Sequence, residues 1–171
     1  MTTWQLPDPA ATRELGRRLA GVLRAGDLVV LTGDLGAGKT TLTQGIGAGL
    51  GVRGQVASPT FIIARAHPNP GSGPDLVHVD AYRLESLAEV DDLDLDSSLE
   101  DSVTVVEWGS GLVEGLAEDR LEVRIARPRG GLDTAEEVAD AGIRTVTVAA
   151  HGPRWEGVDL AAVLGTPAEE R

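Results

Sequence analysis

Short apolar runs alternate along the chain with stretches of helical spacing, which is typical of an α/β domain. Leu28 to Leu31 is entirely apolar, as in a strand buried on both faces of a parallel sheet. Asp8-Pro9 has the residue types of a helix start, and Leu15, Leu19, Val22 and Leu23 then recur at helical spacing until Gly26. Further strands are predicted over 61–66, 76–79, 103–106, 121–125 and 144–148, and helices over 39–50 and 112–117.

Three local signals refine this pattern. Residues 67–74 are rich in proline and glycine and too few for a parallel crossover, which takes about a dozen residues, so the flanking strands are predicted to form a loose hairpin in a mixed sheet. Gly51 is a plausible cap for the helix over 39–50. Thr134 and Glu137 form a capping box, which predicts a small surface helix.

Composition and charge narrow the function classes. The 171 residues contain no cysteine and no apolar run of about 18 residues, and residues 1–10 lack the features of a secretion signal, so we expect a soluble cytoplasmic protein without a membrane segment. The net charge of -12 argues against unaided binding of tRNA or DNA. Acids are concentrated in residues 85–101, which form either a solvated face or a docking surface for a basic partner protein.

A glycine-rich segment follows the first apolar strand. Residues 33–40 match the phosphate-binding pattern G-x-x-x-x-G-K-[ST] in full, and Lys39 is the only lysine of the chain. A compact ammonium reaches between phosphate oxygens where a planar guanidinium does not fit, so the site itself selects lysine. The predicted phosphate contacts are Gly33, Asp34, Leu35, Gly36, Ala37, Gly38, Lys39, Thr40 and Thr41. Thr41 is alternatively an ordinary threonine of the first helical turn.

Two acids and one turn are candidates to complete this site. Thr40 offers a hydroxyl to Mg²⁺, which also needs a carboxylate, and Asp80 and Glu107 each end an apolar strand. Such acids are alternatively solvated strand ends. Ser58-Pro59-Thr60 is an extended turn with two hydroxyls, placed where a switch that senses the γ-phosphate would lie; by its residues alone it is an ordinary turn.

Four blocks in this order and spacing resemble the TsaE family, also called YjeE. They are Gly33 to Leu42, Ser58-Pro59-Thr60-Phe61, His78-Val79-Asp80-Ala81-Tyr82-Arg83-Leu84 and Glu107-Trp108. The resemblance covers roughly residues 12–150. It implies a P-loop NTPase fold and a bacterial ATPase of tRNA threonylcarbamoyladenosine biosynthesis that binds ATP and Mg²⁺. It also implies assembly with TsaB and TsaD, in which TsaD modifies the tRNA and ATP hydrolysis resets the complex.

The resemblance implies a role for individual residues. Thr40 and Glu107 would contact Mg²⁺, and Asp80 would be a second magnesium ligand or orient the attacking water. Thr60 would supply the switch hydroxyl, and the implied catalytic set is Lys39, Asp80, Glu107 and Thr60. Trp108 would pack beside the nucleotide or belong to the core. Residues 9–12 map loosely onto the adenine site, with Thr12 as the contact.

We assign residues 1–151 to a single P-loop ATPase domain with a mixed, mainly parallel central sheet flanked by helices, and residues 152–171 to a C-terminal tail with at most one helical turn near 160–164. Residues 129–142 look longer than the family's usual connection, so Arg127, Arg129 and Arg144 receive no role.

Other functions share the same loop. A GTP switch would need N-K-x-D to recognise guanine. The only asparagine, Asn69, precedes Pro70, so this alternative fails unless guanine is recognised in another way. A small-molecule kinase would add a substrate pocket and a lid, for which Arg127-Pro128-Arg129 is the one candidate. A non-catalytic module would bind ATP only to assemble with a partner.

Overall fold

The computed structural model describes residues 1–34, 36–54, 56, 64–81, 99–107, 117–127 and 143–167. In chain order its elements are β1 (Thr2–Leu6), α1 (Pro9–Ala20), β2 (Leu28–Thr32), α2 (Lys39–Leu50), β3 (Ala64–His67), β4 (Asp75–Asp80), β5 (Ser102–Glu107), β6 (Arg120–Ala126), β7 (Arg144–His151), a 3-10 turn (Pro153–Trp155) and α3 (Leu160–Leu164). No helix in these ranges is long and apolar enough to cross a membrane. Of the predicted helix over 112–117, residues 112–116 lie outside the described residues, as does the capping box at 134–137.

The described strands form one mixed sheet in the order β1-β7-β6-β2-β5-β4-β3. The four central strands β6, β2, β5 and β4 are parallel, and the pairings at both edges are antiparallel. The predicted hairpin is confirmed, since β3 and β4 pair antiparallel with Ala64 opposite Val79. The predicted α/β class is therefore confirmed, with parallel pairing confined to the central strands.

Strand β2 lies at the centre of the sheet and is buried on both faces, as its apolar run predicts. Val29 and Leu31 pack with α1 and α2, whereas Leu28 and Val30 belong to a second apolar cluster on the opposite face. All four side chains are fully buried. A parallel neighbour on each side, β6 and β5, holds this strand in place, so the loop that follows it starts from a rigid support.

Helices α1 and α2 pack so closely that glycine is required where they touch. A Cβ on Gly45 would overlap the carbonyl oxygen of Arg13, and a Cβ on Gly16 would overlap that of Leu42. This contact compensates for the low helix propensity of glycine in α2. The predicted caps are confirmed: Asp8 accepts a hydrogen bond from the Ala11 amide, and Gly51 ends α2 at φ 79°.

Helix α1 ends earlier than its apolar pattern predicts. The Gly21 amide donates to the Arg18 carbonyl and the Val22 amide to the Leu19 carbonyl, so the helix stops at Ala20 rather than at Gly26. The chain then turns and brings Leu23 into the core. The periodic residues after position 20 therefore mark burial rather than helix.

Both ends of the described chain join the main core. Strand β1 was not predicted; it pairs with β7 and buries Trp4, whose indole donates to the Gly165 carbonyl at 2.9 Å. After β7, the short helix α3 confirms the predicted helical turn. Trp155, Leu160 and Leu164 are buried in the same cluster as β2, so residues 152–167 pack on the sheet.

Candidate phosphate-binding site

The glycine-rich loop connects the end of β2 to the start of α2, and its backbone requires glycine at defined points. Gly36 and Gly38 have φ angles of 74° and 114°, which other residues adopt rarely. A Cβ on Gly33 would lie 2.5 Å from the Ile125 carbonyl oxygen. No described side chain caps α2 at Gly38, and the amides and dipole at the N-terminus of a helix favour an anion.

Lys39 folds back over the loop that precedes it. Its Nζ donates to the carbonyl oxygens of Gly33 at 2.7 Å and Asp34 at 3.1 Å, and the residue is only 7% exposed. Burial lowers the pKa of Lys39, while the carboxylates of Glu107, Asp80 and Asp34 oppose that shift. The ammonium thus lies inside the loop, surrounded by carbonyl and carboxylate oxygens.

The structure brings both predicted acids together at the carboxyl ends of the parallel strands. Asp80 and Glu107 are the last residues of neighbouring parallel strands and pair in register, and Glu107 also lies opposite Leu31 of β2. Glu107 is 3% exposed, and the Thr40 hydroxyl donates to its Oε1 at 3.5 Å. A hydroxyl and a carboxylate at this separation are a donor set that suits Mg²⁺.

The protein donors account for only part of a magnesium shell. Within the described ranges no group of three or more histidine, aspartate or glutamate side chains is arranged to hold a metal ion. Mg²⁺ commonly keeps waters and takes substrate phosphate oxygens beside one or two carboxylates. The residues present therefore fit an ion that arrives together with a phosphorylated ligand.

Two arginines that the sequence left without a role lie against the loop. Arg144, at the start of β7, donates from Nε to the Ala37 carbonyl at 3.0 Å. Arg127, just after β6, places its Nη2 3.2 Å from where a Cβ of Gly36 would be. Burial and then the charge of Arg127 lower the pKa of Arg144. Their sequence positions carry no signal, because it is the pairing of β6 with β2 and β7 that brings them here.

Of the remaining predicted residues, Thr12 and Thr41 lie within the described ranges. Thr12 is buried, its hydroxyl donates to the Asp8 carbonyl at 3.4 Å, and its Cγ2 lies 3.8 Å from a Cβ built on Gly38, so it supports the loop from α1. Thr41 is half-buried in the first turn of α2. Leu35, Thr60 and Trp108 lie outside the described residues.

A central parallel strand that runs through a glycine-rich loop into a helix defines a P-loop NTPase fold. The chain matches the crystal structure of YdiB from Bacillus subtilis with a TM-score of 0.69 and 31% identity, over 96% of this chain and 95% of that one. The family model for threonylcarbamoyl adenosine biosynthesis protein TsaE matches residues 6–136. The chain belongs to the TsaE family.

Relatives named tRNA threonylcarbamoyladenosine biosynthesis protein TsaE match over most of their length. The Streptomyces coelicolor protein is 64% identical over 154 residues, which are 90% of this chain and 99% of the relative. The Mycobacterium tuberculosis protein is 51% identical over 132 residues, 73% of this chain and 79% of the relative. The Bacillus subtilis protein is 38% identical over 154 residues, 90% of this chain and 88% of the relative.

Proposed function

We propose that this protein is the ATP-binding and ATP-hydrolysing subunit of a tRNA N6-threonylcarbamoyladenosine machinery. It acts with TsaB-type and TsaD-type proteins, and its ATP hydrolysis resets their complex. One observation carries the ATPase part of the proposal. Three features lie together at the carboxyl ends of the parallel strands. They are the first turn of α2, the buried ammonium of Lys39 and the contact between Thr40 and Glu107.

Each of these groups has a distinct role toward ATP. The loop amides and Lys39 bind the phosphates, and the ammonium exchanges its carbonyl partners in the loop for phosphate oxygens. Thr40 and Glu107 hold Mg²⁺, which neutralises charge on the phosphates of the bound nucleotide. Asp80, in register with Glu107, holds the ion or orients the attacking water. Phosphoryl transfer requires mainly such placement and charge neutralisation.

The charge around Lys39 supports a role for Mg²⁺ in ATP binding. Three carboxylates, those of Glu107, Asp80 and Asp34, act on its ammonium. They would repel the polyanionic tail of ATP as well as stabilise the lysine. A divalent cation removes that repulsion, so we expect the protein to bind ATP far more tightly with Mg²⁺ than without it.

The acidic surface supports a division of labour with partner proteins. A chain with net charge -12 releases few counterions from RNA, so tRNA is contacted by the partners and only indirectly by this subunit. The names of its relatives supply the pathway, tRNA threonylcarbamoyladenosine biosynthesis.

The first test is calorimetry with ATP and Mg²⁺. The second measures ADP formation and phosphate release for the protein alone, with TsaB-type and TsaD-type partners, and with a panel of small acceptors. We expect magnesium-dependent binding, slow release alone and a changed rate on assembly, all lost in Lys39→Ala. ADP formation only with an acceptor, with the phosphoryl group on that acceptor rather than released as phosphate, would instead identify a kinase. No ADP formation under any condition would identify a non-catalytic module. Full tRNA modification by Lys39→Ala in a reconstituted system would contradict the reset role.

A second test separates the metal site from the phosphate loop. Glu107→Ala should weaken ATP binding in Mg²⁺ but leave binding in a chelator nearly unchanged, because the carboxylate acts through the ion. Glu122→Ala is the matched control, since Glu122 pairs with Arg120 on β6 at 3.0 Å and has no place in the site. Equal losses with and without the metal would reduce Glu107 to a structural role.

A further inference from the structure

Strand β4 places a polar residue, His78, among the apolar side chains of the core. His78 is fully buried, and neither of its ring nitrogens has a hydrogen-bond partner among the residues that the structure describes. Burying a polar group without a partner costs about 1–3 kcal/mol. Its neighbours on the same face, Leu76 and Val105, are apolar, so a leucine would pack here without that cost.

The ring points toward the candidate metal site. Its Nε2 lies 3.4 Å from Oε1 of Glu107, which is also the oxygen that accepts from Thr40 at 3.5 Å. Hydrogen bonds between N–H and oxygen are typically about 2.9–3.0 Å long, so a movement of about half an ångström closes the first contact. His78 pairs in register with Val105, two residues before Glu107, so the imidazole and this carboxylate lie on the same face of the sheet.

We propose that His78 is a positioning residue for the magnesium-binding carboxylate. Its Nε2–H holds Glu107 in the orientation that faces Thr40, so the two protein donors are aligned before the ion arrives. This inference rests on the proposed function, in which Thr40 and Glu107 bind Mg²⁺. Hydrogen bonds behind metal ligands orient them, and their loss typically lowers metal affinity about 10–100-fold.

A second buried histidine gives a matched control. His67 of β3 is 4% exposed and its Nε2 also has no hydrogen-bond partner, yet it makes no ion pair with a carboxylate among the described residues. Replacing either histidine by leucine makes the same change, because a buried imidazole is exchanged for an apolar side chain. Of these two histidines, only His78 contacts Glu107 among the described residues, so only the loss of His78 should change the response to magnesium.

The first experiment measures ATP affinity by calorimetry, in Mg²⁺ and in a chelator. His78→Leu should lose about 10-fold or more of the tightening that Mg²⁺ provides and keep its affinity in the chelator. His78→Gln, which offers an amide N–H, should recover part of the loss, and His67→Leu should keep the full tightening. On a Glu107→Ala background, His78→Leu should cause no further loss. Full tightening in His78→Leu, or an equal loss in His67→Leu, would overturn the proposal.

The second experiment uses neither nucleotide nor metal. Long-range nitrogen–proton NMR of the wild-type protein should show the proton of His78 on Nε2, and Glu107→Gln should shift the signals of that ring but not those of His67. Unshifted His78 signals would also overturn the proposal, including where His78→Leu fails to fold. If the wild type binds no magnesium–ATP, the proposed function fails, whereas the ring signals still decide whether His78 holds Glu107.

Discussion

Buried charged residues lie at both ends of the parallel strands, but their contacts differ. Asp27 precedes β2 and pairs with Arg154, whereas Lys39 and Glu107 lie where β2 and β5 end. Burial does not distinguish the two regions, since Asp27 is 4% exposed, Glu107 3% and Lys39 7%. What differs, among the described residues, is how short the hydrogen bonds to the buried carboxylates of Asp27 and Glu107 are.

The pair before β2 is closed on all sides. The guanidinium of Arg154 makes two bonds to the Asp27 carboxylate at 3.0 Å each and a third to the Val22 carbonyl at 2.7 Å. It also lies 4.2 Å from the ring centre of Trp155. The carboxylate accepts one more bond, from the Arg24 amide at 2.8 Å. This arrangement ties the segment after β7 to the start of β2 and serves stability.

The loop end is built with looser contacts. The bond from Thr40 to Glu107 is 3.5 Å long, and His78 approaches the same carboxylate only to 3.4 Å. Burial lowers the pKa of Lys39, so its charged form is less favourable there than in water. Local cost of this kind is expected where side chains are held ready for a ligand. The length of the contacts to the buried carboxylate, rather than burial itself, therefore separates the structural pair from the site.

The largest expected effect breaks the closed pair. Arg154→Ala leaves the buried Asp27 carboxylate without its partner and should lower the free energy of unfolding by about 3–5 kcal/mol. Denaturant unfolding measures this, and magnesium–ATP affinity per folded molecule should be unchanged. Arg24→Ala is the control, because its side chain is exposed, and we expect a change within about 0.5 kcal/mol. Equal stability of the two variants would remove the distinction between the two ends of the sheet.

At the loop, we expect a substitution to lower the affinity for ATP rather than the stability of the protein. Lys39→Met removes a desolvated ammonium and should leave the free energy of unfolding of the nucleotide-free protein equal or higher. Magnesium–ATP affinity should fall on the order of 10²-fold, since a preorganised charge on the phosphates is lost. Calorimetry and denaturant unfolding on the same preparation check both. A variant that is strongly destabilised would show that Lys39 belongs with the structural charges.

A third change tests the support beneath the loop. Gly45→Ala improves the intrinsic helix propensity of α2 by about 1 kcal/mol, but its Cβ meets the Arg13 carbonyl of α1. Overpacking should win, with a net loss of about 1–3 kcal/mol in thermal or denaturant unfolding. Ala48→Gly, on the exposed side of the same helix, should cost about 0.5–1 kcal/mol through propensity alone. A stabilising Gly45→Ala would mean that the two helices separate easily.

The smallest effect concerns pH. Burial, followed by the charges of His78 and Arg65, lowers the pKa of His67 from its ordinary value of 6.5. Below that pH the unfolded chain binds a proton that the native protein does not, so stability should fall as the pH decreases. His67→Phe should remove this part of the slope, and above pH 8 the stability curves of the two proteins should run parallel. An unchanged slope below pH 6.5 would contradict the assignment.

Local signals accounted for the elements whose residues lie close together in the sequence. The apolar run of β2, the cap at Asp8, the glycine cap of α2 and the short hairpin connection each depend on neighbouring residues, and all were predicted. Strand β1 was missed because its alternation of Trp4 and Leu6 is too short to stand out. Its partner β7 lies at the other end of the described chain.

The sequence by itself determined the glycine-rich loop, its lysine and the strand-ending acids, because turn geometry and phosphate recognition depend on residue type at fixed spacing. Only the tertiary structure decided that Arg144 reaches Ala37, that His78 lies beside Glu107 and that Arg154 pairs with Asp27. These contacts join residues far apart in the chain. They follow from the order and register of the strands, which cooperative packing of the whole sheet selects and no local pattern encodes.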